Sequence, residues 1–508
     1  MNYPVWQLGI PGGLLIAFVA VTHVFVSHFA VGGGAFLVLT ERRAHRIGDL
    51  ELLGWVRRHS KFFALLTLVF GAVSGVGIWF TIGLVAPEAT SSLIHTFVWA
   101  WAIEWVFFVV EIAAAIIYAT CWDRLDRRSH MIVGWIYFWA AFFSLVVING
   151  IITYQLTPGR WLQTKNFWDG FFNPTYLPSL FIRTAMCIVL AGVFGLITAV
   201  REKPELRARI VRLAGAWIVC GSLMLPLFAW WYFAKFPDFS KAYATGSILM
   251  VRHTIRGGIA FTLVVLLMAL VFALWKPRLM RAPVVALLVL FAFGMMASGE
   301  YLREFVRKPW VINGYIYAND VRVSSVTDYA KRGVFGNAAW VTAADPKSVD
   351  YGHDLFVMQC SKCHTVDGYR AIRPRVRNWD ATFAANMLGH LEMMKVGTMP
   401  RFAGDERDRA ALGLYLASLN PHPPAQVKNI DGEGKQVFET RCGSCHTIDG
   451  KIRPLKAAFT DSTPEQIEAI LPVLSTMSDN MPPFTGTDEE AKALAHYAAK
   501  AANTPAAR

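Results

Sequence analysis

Long apolar stretches fill the first 305 residues of the chain, and a more polar sequence follows them. Eight of these stretches are about 20 residues or longer, the length that a helix needs to cross the hydrocarbon core of a bilayer. They lie near 9–40, 62–86, 94–120, 131–155, 177–200, 210–233, 245–275 and 282–303. The pattern predicts an all-α protein, in which a polytopic membrane bundle of about eight transmembrane helices precedes a polar domain.

Basic residues are concentrated in one set of loops. The loops after spans one, three, five and seven contain 17 Lys and Arg residues, whereas the opposite loops contain four. Because basic loops stay in the cytoplasm, both termini and the polar domain are expected on the periplasmic side of a bacterial inner membrane. The net charge of +13 then favours anionic membrane lipid over nucleic acid as a partner.

The polar half contains two similar units with a repeat of 82 residues, in which 352–368 matches 434–450. Each unit carries one Cys-x-x-Cys-His motif, whose two thiols can form thioethers to one haem while the His binds its iron. A Met-Pro-x-Phe sequence begins 35 residues after each His and offers a second iron ligand. The motif residues are Cys360, Cys363, His364 and Met399 in the first unit and Cys442, Cys445, His446 and Met481 in the second.

Both units resemble class I cytochromes c. A zinc site is the alternative for the motif, but it would need further Cys or His ligands close by. Proline context and equal spacing favour Met399 over the neighbouring candidates Met387, Met393 and Met394. We therefore expect two covalent haem c groups, in a unit at 346–425 and a unit at 426–508, after a linker at 306–345.

Two acids lie within the third apolar span, where a charge is expensive and invites a functional explanation. Glu104 and Glu111 are seven residues apart, about two helical turns, so both point to one face of the helix. Acids on one inward face suit a proton path or a haem site. Pairing with a neighbouring Arg, without any further role, is the alternative.

Histidines and arginines near the span ends are candidate haem contacts. His23 and His28 are about 140° apart around the helix, so they cannot serve the same haem face. His59 and His130, at the cytoplasmic ends, are expected to be snorkelling or solvated rather than ligating. Basic groups at the outer ends of spans five and seven are candidates for binding haem propionates: Arg183, Arg252, His253 and Arg256.

The membrane half, residues 1–305, resembles subunit I of the cytochrome bd-type quinol oxidases over about 300 residues. The resemblance rests on Thr22-His23-Val-Phe-Val, the Gly-rich run 70–77, the stretch from 102 to Glu111, and Trp122-Asp123-Arg124-Leu125. A further match is the junction Glu304-Phe-Val-Arg307-Lys-Pro-Trp310, which read alone is a charged stop at the membrane surface.

The resemblance implies a haem site in this half. It makes His23 the first-helix iron ligand and Glu304 the ligand of a high-spin haem, with Arg307 beside it as a cofactor-binding residue. It also implies one to three non-covalent haems of b or d type and, because the family is heterodimeric, a second membrane subunit.

The chain departs from the family at the low-spin haem and at the quinol site. Arg183 stands where the family has a His ligand, and Thr254 or His253 stands where it has a Met. Met186, about one turn from Arg183, could form an exchanged ligand pair with His253. The long outer loop that handles quinol is missing, since only about a dozen residues separate spans six and seven.

These features predict a respiratory oxidoreductase with a c-type electron port. Electrons from a periplasmic donor would enter the two c haems, pass to membrane haems near His23, Glu104 and Glu304, and reduce oxygen. The main alternative is a quinol dehydrogenase that sends electrons outward to a periplasmic acceptor. A weaker alternative is a haem-based gas sensor with a docking tail.

Overall fold

The computed structural model describes residues 9–246, 248–338, 341–377, 379–394, 397–420, 430–450, 453–478 and 481–504. The described residues include eight helices that are long and apolar enough to cross a membrane, which confirms the all-α membrane architecture. These are α1 (Gly12–Ile47), α2 (Leu50–Val85), α3 (Val98–Thr120), α4 (Arg127–Tyr154), α5 (Tyr176–Ala199), α6 (Pro204–Ala234), α7 (Leu249–Trp275) and α8 (Ala282–Phe305).

The chain forms two compact units. The membrane unit comprises Leu15–Gly83 and Ala89–Arg307, and the polar unit comprises Met1–Leu14, Leu84–Glu88 and Lys308–Arg508. Short helices within the membrane unit connect the spans: Trp161–Thr164, Phe167–Phe171 and Asp238–Thr245.

Helix α5 is the most buried of the eight spans in the membrane unit. A Cβ atom at Gly32 of α1 would lie 1.9 Å from the carbonyl oxygen of Cys187, and one at Gly192 would lie 2.5 Å from that of Ala214 in α6. Glycine therefore allows backbones to touch where lipid provides no hydrophobic drive for helix association. The rings of Phe29 and Phe194 stack 4.1 Å apart in the same core.

The predicted linker is folded in its described residues. Strands β1 (Trp310–Ile312) and β2 (Ile316–Tyr317) form an antiparallel pair, and the rings of Trp310 and Tyr317 stack at 4.3 Å across it. The helix Val323–Arg332 follows and buries Tyr329 in the core of the polar unit.

The 82-residue repeat is visible in how the helices of the polar unit cross. Helices α9 (Val349–Gln359), α10 (Ala381–Leu388) and α11 (Glu406–Ser418) form the first repeat, and α12 (Ile430–Val437), α13 (Pro464–Ile470) and α14 (Asp488–Asn503) form the second. A Cβ atom at Gly352 would lie 2.2 Å from the carbonyl oxygen of Ala411. At the equivalent Gly434 it would lie 2.0 Å from that of Ala493. Each repeat therefore crosses its first and last helices at a glycine.

Candidate functional sites

The first Cys-x-x-Cys-His motif lies at the end of α9 and forms a helical turn. The amide of His364 donates to the carbonyl of Cys360 at 2.9 Å, and Nδ1 of His364 lies 3.0 Å from the carbonyl oxygen of Arg370. A carbonyl can only accept, so Nδ1 carries the hydrogen and Nε2 keeps its lone pair for iron. Burial lowers the pKa of His364, which also favours the neutral, ligating imidazole.

The second motif repeats this geometry. The amide of His446 donates to Cys442 at 2.9 Å, and Nδ1 of His446 lies 3.1 Å from the carbonyl oxygen of Arg453. Burial raises the pKa of both Cys360 and Cys442 to about 12. Both motifs therefore fit covalent haem, with one His nitrogen oriented and the other left for the metal.

The predicted methionine ligand of the first unit lies in an apolar cluster. Met399 packs there with Phe383, Met387 and Met394, and Cys445 of the second unit joins the same cluster. Met481 lies in the equivalent segment of the second unit, where its amide donates to the carbonyl of Ser478 at 2.9 Å. The assignment of both sulfurs as iron ligands stays a prediction.

Side chains of the second cytochrome repeat contact the first cytochrome repeat directly. The buried Arg441 lies 2.9 Å from Glu490 in the second repeat and 3.7 Å from Asp380 in the first repeat. Its guanidinium also lies over the ring of Phe383. The equivalent residue of the first unit, Gln359, instead bonds the backbone of Ala403 within its own unit. The repeat is therefore asymmetric at the position that joins its two halves.

His23 of α1 is oriented by the glycine-rich segment of α2. Its Nδ1 lies 3.0 Å from Oγ of Ser74, and that hydroxyl donates to the carbonyl of Phe70 at 2.6 Å. The hydroxyl hydrogen is therefore engaged, so Oγ accepts from Nδ1 and leaves Nε2 of His23 for iron. By contrast, His28 is buried with Nδ1 2.8 Å from the carbonyl of Val24 in its own helix. Both histidines therefore keep Nε2 available, and the assignment of His23 as the iron ligand stays a prediction.

The junction after α8 closes on itself and on α4. Arg307 is buried, pairs with Glu304 and bonds the side-chain amide of Gln155. The hydroxyl of Ser240 donates to the carbonyl of Val306 at 2.7 Å. The junction is thus an ordered part of the membrane unit, with the carboxylate of Glu304 45% exposed. Its role as a haem ligand stays a prediction.

Arg183 replaces an expected histidine and is buried beside an acid. Its guanidinium lies 3.7 Å from Glu300, which also accepts from Nε of Arg303 at 2.8 Å. Met186, one turn along α5, is buried in the core, whereas Arg252 and His253 on α7 are exposed. A haem ligand pair from Met186 and His253 stays a prediction, as do propionate contacts from Arg183 and Arg252.

The two acids of α3 both face α4. The hydroxyl of Ser144 donates to Glu104 at 3.0 Å, and that of Tyr137 is shared between Glu111 at 3.1 Å and the carbonyl of Ala30 at 3.0 Å. The two carboxyl groups therefore share a face of α3, as the spacing predicts. Their hydrogen-bond partners here are hydroxyls, which can pass protons as well as donate them.

The prediction that the rings of His59 and His130 are snorkelling or solvated is wrong, because both are buried. His59 is fully buried, bonded to the hydroxyl of Thr198 at 2.9 Å and stacked on Trp55. His130 is 2% exposed and lies 2.9 Å from the carboxylate of Glu41. Neighbouring helices cover both rings, which a reading of single spans could not show.

Comparison with known proteins identifies the two parts separately. Residues 14–232 match the family Cytochrome bd terminal oxidase subunit I, and residues 431–497 match Cytochrome C oxidase, cbb3-type, subunit III. The solved structure of bd oxidase from Geobacillus thermodenitrificans has a TM-score of 0.50 at 14% identity, covering 61% of this chain and 90% of that one. At this identity the likeness concerns the fold alone.

Curated relatives match the c-type region. Two cbb3-type cytochrome c oxidase CcoP subunits of Helicobacter pylori strains are 28% and 27% identical over 127 residues, 22% of this chain. The match spans only 43% and 42% of the length of these relatives. With the helical membrane unit and the repeated haem motifs, these matches show that the chain combines a cytochrome bd oxidase subunit I domain with a C-terminal cbb3-type cytochrome c domain.

Proposed function

We propose that this membrane electron-transfer protein accepts electrons from a periplasmic donor at its polar unit and reduces oxygen in its membrane unit. When bound, haem supplies the electron-transfer and oxygen-binding chemistry at these sites. Cys360, Cys363, Cys442 and Cys445 hold it covalently in the polar unit. The expected partners are a soluble cytochrome or similar donor, a second membrane subunit and membrane lipid.

The observation that carries this proposal is the pair of acids on α3. Reduction of oxygen to water consumes one proton for each electron, so protonatable groups must lead to the reacting site. Glu104 and Glu111 lie on one helix face, and each accepts a hydrogen bond from a hydroxyl of α4. These carboxyl groups can hold and release protons inside the membrane unit, which a simple electron conduit does not require.

Two features of the membrane unit support entry of electrons through the polar unit. Arg183, at the position of the expected low-spin haem ligand, is engaged with Glu300. Only residues 235–248 connect α6 and α7, and this segment replaces the long loop that the resemblance associates with quinol. The part of an oxidase that would take electrons from quinol is therefore altered, while the acids that serve oxygen chemistry are kept.

Oxygen uptake by the purified, haem-loaded protein tests the proposal. We expect uptake with a reduced soluble c-type cytochrome and little uptake with quinol alone. Glu104→Ala should lower the rate by about a hundredfold or more, the usual scale for loss of a proton-transfer group. Glu51→Ala, which removes an exposed carboxylate of the membrane unit, is the control and should leave the rate unchanged. Quinol-driven reduction of the c haems without oxygen uptake from the c-type donor would favour the dehydrogenase instead.

A further inference from the structure

We propose that Glu41, His130 and Tyr118 form a proton-loading site that supplies Glu111 and Glu104. The site lies where α1 and α3 end and α4 begins, at the basic-loop end of the membrane unit. The inference deepens the proposed function and rests on it, because a loading site needs a reaction that consumes protons.

The cluster is buried and closely bonded. Glu41 is 1% exposed, His130 2% and Tyr118 4%. Nδ1 of His130 lies 2.9 Å from Oε1 of Glu41, and the hydroxyl of Tyr118 donates to Oε2 at 2.6 Å. The ring of Trp122 lies 4.2 Å from that of His130 and helps to cover it. A carboxylate buried to this degree is stable only when paired or protonated.

The hydrogen-bond pattern requires one exchangeable proton. Nε2 of His130 lies 3.0 Å from the carbonyl oxygen of Tyr118, which can only accept, so Nε2 carries a hydrogen. The Tyr118 hydroxyl already donates its own hydrogen to Glu41. The contact between Nδ1 and Oε1 therefore holds a single proton, either on His130 as imidazolium or on Glu41 as carboxylic acid. Without it, two lone pairs would face each other at 2.9 Å.

His45 connects this shared proton to the surface. It lies one turn after Glu41 on α1, with Nε2 3.5 Å from Oε1 of Glu41 and a side chain 20% exposed. A proton that His45 takes from water can pass to Glu41, while the proton shared by Glu41 and His130 leaves toward Glu111. The step forms one N–H or O–H bond for each one that breaks, and it involves no change in oxidation state.

The cluster's residues on α3 and α4 lie on the same helix faces as Glu104, Glu111 and their hydrogen-bond partners. On α3, Glu104, Glu111 and Tyr118 recur every seven residues, and on α4 the residues His130, Tyr137 and Ser144 do the same. The two rows pair as Tyr118 with His130, Glu111 with Tyr137, and Glu104 with Ser144. Together they form three polar residue pairs between α3 and α4, and successive pairs are about 10 Å apart by helical rise.

Glycines set the positions of the two tyrosine rings in these pairs. A Cβ atom at Gly134 would lie 2.8 Å from the ring of Tyr118, and one at Gly34 would lie 2.5 Å from the ring of Tyr137. Each ring therefore occupies space that only glycine leaves open. A spacing of about 10 Å is longer than one hydrogen bond. Proton transfer between neighbouring pairs therefore requires intervening water or rotation of the carboxyl side chains.

Glu41→Gln tests the site in the full-length, haem-loaded protein. With a reduced soluble c-type cytochrome as donor, we expect oxygen uptake and dye-detected proton uptake to slow by about a hundredfold or more, while the c haems stay reduced. Glu41→Asp should restore part of the rate. Asp123→Asn, which removes an exposed carboxylate at the same end, is the control. A Glu41→Gln protein with normal haem content and unchanged uptake would overturn the proposal.

Infrared spectroscopy of the resting protein tests the shared proton without turnover. We expect a carboxyl or imidazole band that shifts in deuterated water and disappears in both Glu41→Gln and His130→Gln. If either variant fails to fold, Tyr118→Phe removes only one hydroxyl and should still shift this band and slow proton uptake. Absence of such a band in the wild type would overturn the proposal. A wild type that shows the band but consumes no oxygen would instead contradict the proposed function alone.

Discussion

The polar unit and the membrane unit organise their candidate haem-binding residues in opposite ways. In the polar unit, Cys360, Cys363 and His364 lie within one turn after α9, and the repeat copies this arrangement in the second half. In the membrane unit, His23 lies on α1 and Glu304 near the end of α8, so only folding can place them in one site. A local motif carries its own geometry, whereas a dispersed site depends on how the helices pack.

Removing both attachment thiols of one motif should have the largest effect. We expect the double variant Cys442→Ala, Cys445→Ala to lose the second covalent haem and to leave the first unit loaded, because each motif carries its own pair of attachment thiols. Intact-mass spectrometry should show two covalent haems in the wild type and one firmly attached haem in the variant. Cys220→Ala, at an exposed free thiol, should keep both. A wild-type mass with one haem or none would contradict the tandem assignment.

Loss of a membrane ligand should have the complementary effect. His23→Ala and Glu304→Ala should each lose extractable haem and keep both covalent haems, since the polar unit holds these independently. Absorbance of the solvent-extracted haem, relative to the covalent haem that remains, measures the change. His95→Gln is the control, because this exposed histidine of the membrane unit bonds the carbonyl of Ser91 in its own short helix. Full retention of haem in both ligand variants would reduce the junction to a charged stop.

A smaller effect, on stability, is expected at the glycines where two helices cross. The polar unit and the membrane unit should lose similar amounts of stability there. Gly434→Ala in the polar unit and Gly192→Ala in the membrane unit each place a methyl group against a backbone carbonyl. Overpacking of this kind lowers the free energy of unfolding by about 1–3 kcal/mol. Thermal unfolding should show it, while Gly71→Ala, whose added Cβ meets nothing within 4 Å, should unfold like the wild type. Equal stability of all three variants would contradict the close helix crossings.

The mildest change concerns the second haem iron. Met481→Leu should leave the haem attached but lower its reduction potential, because a thioether sulfur raises the potential of a His-ligated haem. Redox titration of the c-type absorbance measures the shift. Met477→Leu, at an exposed methionine of the same unit, is the control. An unchanged potential in the Met481 variant would require a different second ligand.

The sequence predicted those parts of the molecule that local patterns determine. Eight apolar spans, the 82-residue repeat and the shared face of Glu104 and Glu111 all appear in the structure. Hydropathy and helical periodicity depend on neighbouring residues alone, so one chain is enough to read them.

Contacts between distant residues could not be predicted in the same way. The burial of His130 against Glu41 depends on the packing of α1 against α3 and α4, and Arg183 meets Glu300 only across two helices. The inclusion of Leu84–Glu88 in the polar unit likewise has no local signal. The seven-residue recurrence of Tyr118 after Glu111 was the one sequence pattern that could have pointed to the proton-loading cluster.

The direction of electron flow is tested most directly by rapid anaerobic mixing of the oxidised, fully loaded protein with each candidate donor. With a reduced soluble c-type cytochrome, we expect the covalent haems to become reduced first and the extractable haems second, as followed by their absorbance. Quinol should reduce neither at a comparable rate. Reduction of the extractable haem by quinol, followed by reduction of the covalent haems, would instead establish the outward electron flow of a dehydrogenase.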